Sequence, residues 1–92
     1  MPNLFECLGY KIYFWSNENN EPIHVHISKG IPSQNSTKIW ITKNGGCIVA
    51  NNISRIPQKE LNDLLETISI NYFFIVSEWK KFFGKDEIKY YC

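Results

Sequence analysis

The chain has 92 residues, of which 43% are hydrophobic, 21% charged and 15% aromatic, and its formal net charge is +1. That length suits one compact domain over residues 1–92, and the composition is too apolar for disorder. The near-neutral charge argues against a protein held on nucleic acid mainly by phosphate contacts. The lack of an apolar run near the ~18 residues of a membrane span, or of a leader pattern, argues against membrane insertion and classical secretion.

The first half of the chain is cut into short runs by turn signals. A run over 10–16 is followed by the polar loop 17–22, a run over 23–28 by a longer loop at 29–36, and a run over 37–42 by Asn44-Gly45. The last pair favours a tight hairpin because both residues tolerate positive φ. A further run covers 47–51. These segments are rich in Ile, Val, Thr, Tyr, Phe and Trp, which fit a pleated sheet, and their short connections predict an antiparallel meander.

The period then changes from two to about 3.6. Pro57 fits the first turn of a helix, where its missing N–H costs nothing. Leu61, Leu64, Leu65, Ile68, Tyr72, Ile75, Val76, Trp79, Phe82 and Phe83 then form one apolar stripe. Gly84 suits a left-handed cap, and Lys80 and Lys81 suit the negative helix end before it. One long helix over 58–83 is expected, with a kink near Ser69–Asn71, and the tail Ile88–Tyr91 alternates enough to add an edge strand. The predicted fold is α+β: a four- to five-stranded antiparallel meander with one long C-terminal helix on one face.

Alternation assigns the two faces of the sheet. Ile12, Phe14, Val25, Ile27, Ile39 and Ile41 belong under the helix. Lys11, Tyr13, Trp15, His24, His26, Lys38 and Trp40 then collect on the opposite, uncovered face. An exposed patch of this kind marks a contact site, so Tyr13, Trp15, His24, His26, Lys38 and Trp40 are the candidate binding residues. They are expected to matter for function more than for stability.

Two histidines at i and i+2 in a strand stand about 7 Å apart on one face. They are the candidate catalytic pair, as general acid and base, because imidazole exchanges protons near neutral pH. They are also candidates to share a metal, with Glu18, Glu21, Cys47 or Cys92 as further ligands. No zinc-finger spacing is present, and neither a metal nor another cofactor is expected. Cys7, Cys47 and Cys92 are odd in number and lack close pairing, which reads as reduced thiols in a cytoplasmic protein. There is no phosphate-binding glycine loop and no serine nucleophile elbow.

The stretch from Gly9 to Ile27, with Pro22, His24 and His26, resembles a small bacterial family known as domain of unknown function 4160. Its members carry a strand, a polar loop, a Pro-Pro-His-x-His type motif and a leucine-rich helix with a tryptophan, comparable here to Leu61–Trp79. Ile23 replaces the second proline of that motif. The resemblance implies a small prokaryotic or phage protein, cytoplasmic and encoded beside another small domain, as in toxin–antitoxin pairs. The expected function is therefore an interaction module with a protein partner from a neighbouring gene. A ribonuclease-like toxin using His24 and His26, with Lys11 or Lys38, is the alternative. Base stacking on Tyr13, Trp15 and Trp40 would make it a nucleic-acid binder. No membrane partner is expected, and a homodimer is left open.

Overall fold

The computed structural model describes residues 3–15, 21–32, 35–84 and 88–92. Most of the loop expected at 17–22, and part of that at 29–36, lie outside the described residues. Five strands, β1 (Asn3–Cys7), β2 (Tyr10–Tyr13), β3 (His24–Lys29), β4 (Thr37–Ile41) and β5 (Cys47–Asn51), precede two helices, α1 (Gln58–Ile70) and α2 (Tyr72–Phe83). The strands form one antiparallel sheet in chain order, so the fold is α+β with a meander, as expected.

β1 is not apparent from alternation, because a register shift between Asn3 and Phe5 breaks its period. Its turn is also atypical in sequence. Cys7 pairs with Tyr10 across Leu8 and Gly9, which have φ of 54° and 80°. Two positive φ values are the signature of a type I′ hairpin, a conformation that suits Asn-Gly and strains leucine. At the β4–β5 hairpin only Gly45 has positive φ (92°), and Thr42 N–H donates to the Gly46 carbonyl at 3.0 Å. Asn44 therefore does not need the conformational freedom expected of it.

β3 begins one residue later than the apolar run, but Ile23 is still held on both sides: its N–H donates to the Lys89 carbonyl at 2.9 Å and its carbonyl accepts from Ile41 N–H at 3.1 Å. The C-terminal tail lies beside it but is not a regular strand, contrary to expectation. Lys43 N–H anchors its end on the Cys92 carbonyl at 2.9 Å. The alternation of the tail still has meaning: Ile88 and Tyr90 pack on the core, while Tyr91 is exposed.

The single long helix is in fact two. Pro57 is the residue before α1, with ψ of 142°, and not its first helical residue. Asn71, at φ −96° and ψ 19°, separates α1 from α2. The bonding nearly continues through it: Asn71 N–H donates to the Thr67 carbonyl at 3.1 Å, and Ile75 N–H to the Asn71 carbonyl at 3.0 Å. The Asn71 amide also donates to the Thr67 carbonyl at 2.9 Å, a local alternative that suits asparagine to a helix break. The weak helix formers Thr67, Ile68, Ser69 and Ile70 run into this point. At the far end Gly84 caps α2 in the left-handed conformation, as expected, at φ 64°.

The helices cover the predicted face. Ile12, Phe14, Ile23, Val25, Ile27, Ile39 and Ile41 are buried in one cluster with Leu61, Leu64, Ile68, Ile75 and Trp79. Asn52 holds the β5–α1 connection to the sheet. Its side chain exchanges two hydrogen bonds of 3.0 Å with the Ile56 backbone and accepts one of 2.7 Å from Thr37 Oγ1. Tyr72 ties α2 to the β4–β5 hairpin by donating its hydroxyl proton to the Thr42 carbonyl at 2.8 Å.

Two outcomes follow for stability. Leu8→Asn, at a half-exposed turn position, should raise unfolding free energy by up to about 1 kcal/mol in urea titration. Burial first, and then the neighbouring Tyr90, push the Tyr72 hydroxyl up to about 12. The folded chain thus holds this proton more tightly than the unfolded chain. The resulting stabilisation is complete below pH 10 and is lost as pH rises through about 12. Tyr72→Phe should lose less stability than the parent over that interval in thermal melts.

Candidate functional site

The strand register confirms which residues share the second face. Tyr13 pairs with His26, His26 with Lys38, His24 with Trp40 and Lys11 with Ser28. This places Tyr13, His24, His26, Lys38 and Trp40 together, as alternation predicts, with Trp15 beside them. The expectation that the face is uncovered is wrong. Tyr13 and His24 are fully buried and His26 is only 8% exposed, whereas Trp15, Lys38 and Trp40 are half-buried.

The rings form a continuous layer. Tyr13 stacks on His26 at 5.7 Å between centroids and meets Trp15 edge-on at 5.4 Å. His26 meets His24 edge-on at 5.0 Å, and His24 meets Trp40 at 5.7 Å. Trp40 in turn stacks almost parallel on Tyr91 of the tail at 4.7 Å. Trp79 of α2 touches both layers of the protein, lying 5.0 Å from Phe14 and 5.5 Å from His24. The sequence pattern assigns a residue to a face but does not report what packs over that face.

The polar atoms of the layer are held by short local bonds. His24 Nδ1–H donates to the Pro22 carbonyl at 2.8 Å, which fixes the ring and directs Nε2 towards Glu21 Oε2 at 3.7 Å. This is the physical content of the Pro-x-His spacing: the carbonyl two residues back orients the first imidazole. His26 Nδ1 shares a hydrogen bond of 2.9 Å with Ser36 Oγ, and Tyr13 shares one of 2.8 Å with Ser28 Oγ. Alternation already places Ser28 on the face of Tyr13, whereas Ser36, which precedes β4, is not evident as a partner from it. At the rim, Lys38 Nζ lies 4.3 Å from the centre of the Trp40 ring and 3.4 Å from Glu21 Oε1. One carboxylate thus meets both a lysine and a histidine.

Other candidate chemistry is dispersed. Cys7, Cys47 and Cys92 are free thiols. Cys47 sits against α1, 3.6 Å from both the Leu65 carbonyl and Ser69 Oγ, and burial pushes its thiol up despite the serine contact. It is therefore a poor nucleophile at neutral pH. Lys11 pairs with Ser28, beside the layer and away from Lys38. Among the described residues, no three His, Cys, Asp or Glu side chains converge on a point where a metal could sit. Glu18, one of the potential ligands, lies outside the described residues. An open depression of about 310 Å³ is lined by Phe14, Glu78, Lys81 and Phe82, with neither histidine in its wall. Among the described residues, no helix is long and apolar enough to cross a membrane.

The fold and this layer define a small α+β protein whose His-x-His strand is sandwiched between an aliphatic core and an aromatic layer. The chain belongs to the family described as domain of unknown function (DUF4160), whose model matches residues 9–80 and so includes the sheet from β2 onward and most of the helical pair. No curated protein and no solved structure matches the chain.

Removal of the His24 ring should be felt as loss of packing. His24→Ala empties a site between Trp40, Trp79 and His26 and leaves the Pro22 carbonyl without its donor. It should lose about 2–4 kcal/mol of unfolding free energy in urea. A change near zero would show that the ring contributes nothing to the layer.

Proposed function

We propose that the chain is a small cytoplasmic interaction module, one component of a toxin–antitoxin-like two-gene system. It would bind a protein partner through the accessible rim of the aromatic and histidine layer. The observation that carries this reading is the division of the layer by burial. Tyr13, His24 and His26 lie beneath, while Trp15, Lys38 and Trp40 are half-buried and Tyr91 is exposed. Large aromatic rings backed by a rigid layer are the usual anchors of protein–protein contacts, because little side-chain entropy remains to be lost. The two-gene element rests on the resemblance to small prokaryotic and phage proteins encoded beside another small domain.

The same burial weighs against the alternatives. A general acid or base must reach the atom it protonates, and His24 is fully enclosed. A ribonuclease using His24 and His26 would have to open the layer first. For nucleic acid, the Lys38 charge already meets Glu21 and one face of Trp40 already carries Tyr91. Neither a phosphate contact nor an open stacking platform is thereby favoured.

Calorimetric titration with the product of the neighbouring gene tests the proposal. Trp40→Ala should retain the parent circular dichroism spectrum yet bind at least about tenfold more weakly. Full affinity in a folded variant would exclude the rim as the interface. Cleavage of RNA by the parent chain, abolished by His26→Ala, would establish the enzymatic reading instead.

A further inference from the structure

The outer surface of the helical pair is an unusual one for a surface helix. Ile70 is 75% exposed, Phe73 83% and Phe74 44%, and all three sit at the α1–α2 junction. Their spacing continues along the exposed stripe Asp63, Glu66, Ile70, Phe73, Ser77 and Lys80, in alternating steps of three and four. The spacing is that of a helix-pairing seam facing away from the core, with apolar residues at its centre and polar ones towards its ends. Its ends carry opposite charge, with Asp63 and Glu66 on α1 and Lys80 on α2, while the neighbouring Lys81 is paired with Glu78 at 3.6 Å.

We infer that this stripe is a homodimer interface in which two copies of the chain meet across a two-fold axis with their helical pairs antiparallel. Ile70 and Phe73 are equidistant from the point between Asn71 and Tyr72, and so are Asp63 and Lys80. Rotation about an axis through that point therefore sets Ile70 of each copy against Phe73 of the other. The same rotation sets each Asp63 against the other copy's Lys80. A parallel pairing would put like charges together at both ends, so the charge pattern selects the antiparallel one.

The area agrees with a weak dimer. At roughly 200 Å² per large side chain, the exposed fractions leave roughly 400 Å² of apolar surface on each copy. A standard interface covers about 800 Å² per partner, of which about 60% is apolar. The patch supplies most of that share. Phe74 is backed by Phe5 of β1 at 6.5 Å, whereas Phe73 projects from the junction with Tyr72 beside it at 5.3 Å. This surface lies on the helical side of the protein and leaves the Trp40 rim free.

Sedimentation equilibrium of the full chain across a concentration series provides the test. The parent should pass from monomer to dimer. Phe73→Glu, and separately Ile70→Lys, should weaken the dimer by about 30-fold or more while keeping the helical circular dichroism signal. Asp63→Lys alone should weaken it by about fivefold, and adding Lys80→Asp to the same chain should restore it. A chain that stays monomeric at its highest soluble concentration would overturn the inference. So would a dimer indifferent to both Phe73→Glu and Ile70→Lys, or a double charge variant no tighter than Asp63→Lys.

Discussion

The structure depends on one strand being covered on both sides. In β3, His24, Val25, His26, Ile27 and Ser28 are all buried, although only alternate residues are aliphatic. Val25 and Ile27 pack into the core beneath the helices. His24 and His26 face the aromatic layer, where every polar atom placed under cover needs a partner. The Pro22 carbonyl and Ser36 hydroxyl supply bonds of 2.8 and 2.9 Å for this purpose. Imidazole suits such a position because it combines a flat ring for stacking with nitrogens that bond at the edge.

Trp79 and the C-terminal tail couple the two layers. Trp79 touches Phe14 on one side and His24 on the other, so the position of α2 and that of the histidine layer are interdependent. The tail contributes backbone bonds to Ile23 and Lys43, and its tyrosines separate by alternation. Tyr90 joins the core, whereas Tyr91 extends the ring layer over Trp40. A 92-residue chain thereby gains interior on both faces of its sheet, where a simple two-layer fold would leave one face wet.

The helical side shows how a break in local structure can organise a surface. Asn71 interrupts the helix while its own N–H and carbonyl keep helix-type bonds to Thr67 and Ile75, and both segments keep their buried residues on the sheet: Leu61, Leu64 and Ile68 from α1, and Tyr72, Ile75 and Trp79 from α2. The outward stripe therefore remains in phase across the break, with its apolar centre at the junction and opposite charges at its ends. The rim of Trp40 and Lys38 lies on the other side of the sheet, so the fold offers two separate surfaces.

The sequence by itself determined the α+β class, four of the five strands to within a few residues, the helix end at Gly84 and the composition of both sheet faces. These are local properties: alternation, helical period and a left-handed cap are written in neighbouring residues. β1 escaped because its register shift and Leu-Gly turn lack the usual local signs. The break at Asn71 was foreshadowed by the run of weak helix formers, but the apolar stripe crosses it unbroken, so period alone could not divide the helix. Of the candidate site, the grouping of Tyr13, His24, His26, Lys38 and Trp40 was legible and their burial was not. Only the tertiary structure decided which of those rings lie inside, because burial depends on what arrives from elsewhere in the chain. Trp79 of α2 reaches His24 from 55 positions away and Tyr91 reaches Trp40 from 51, and no pattern within β3 or β4 encodes their arrival.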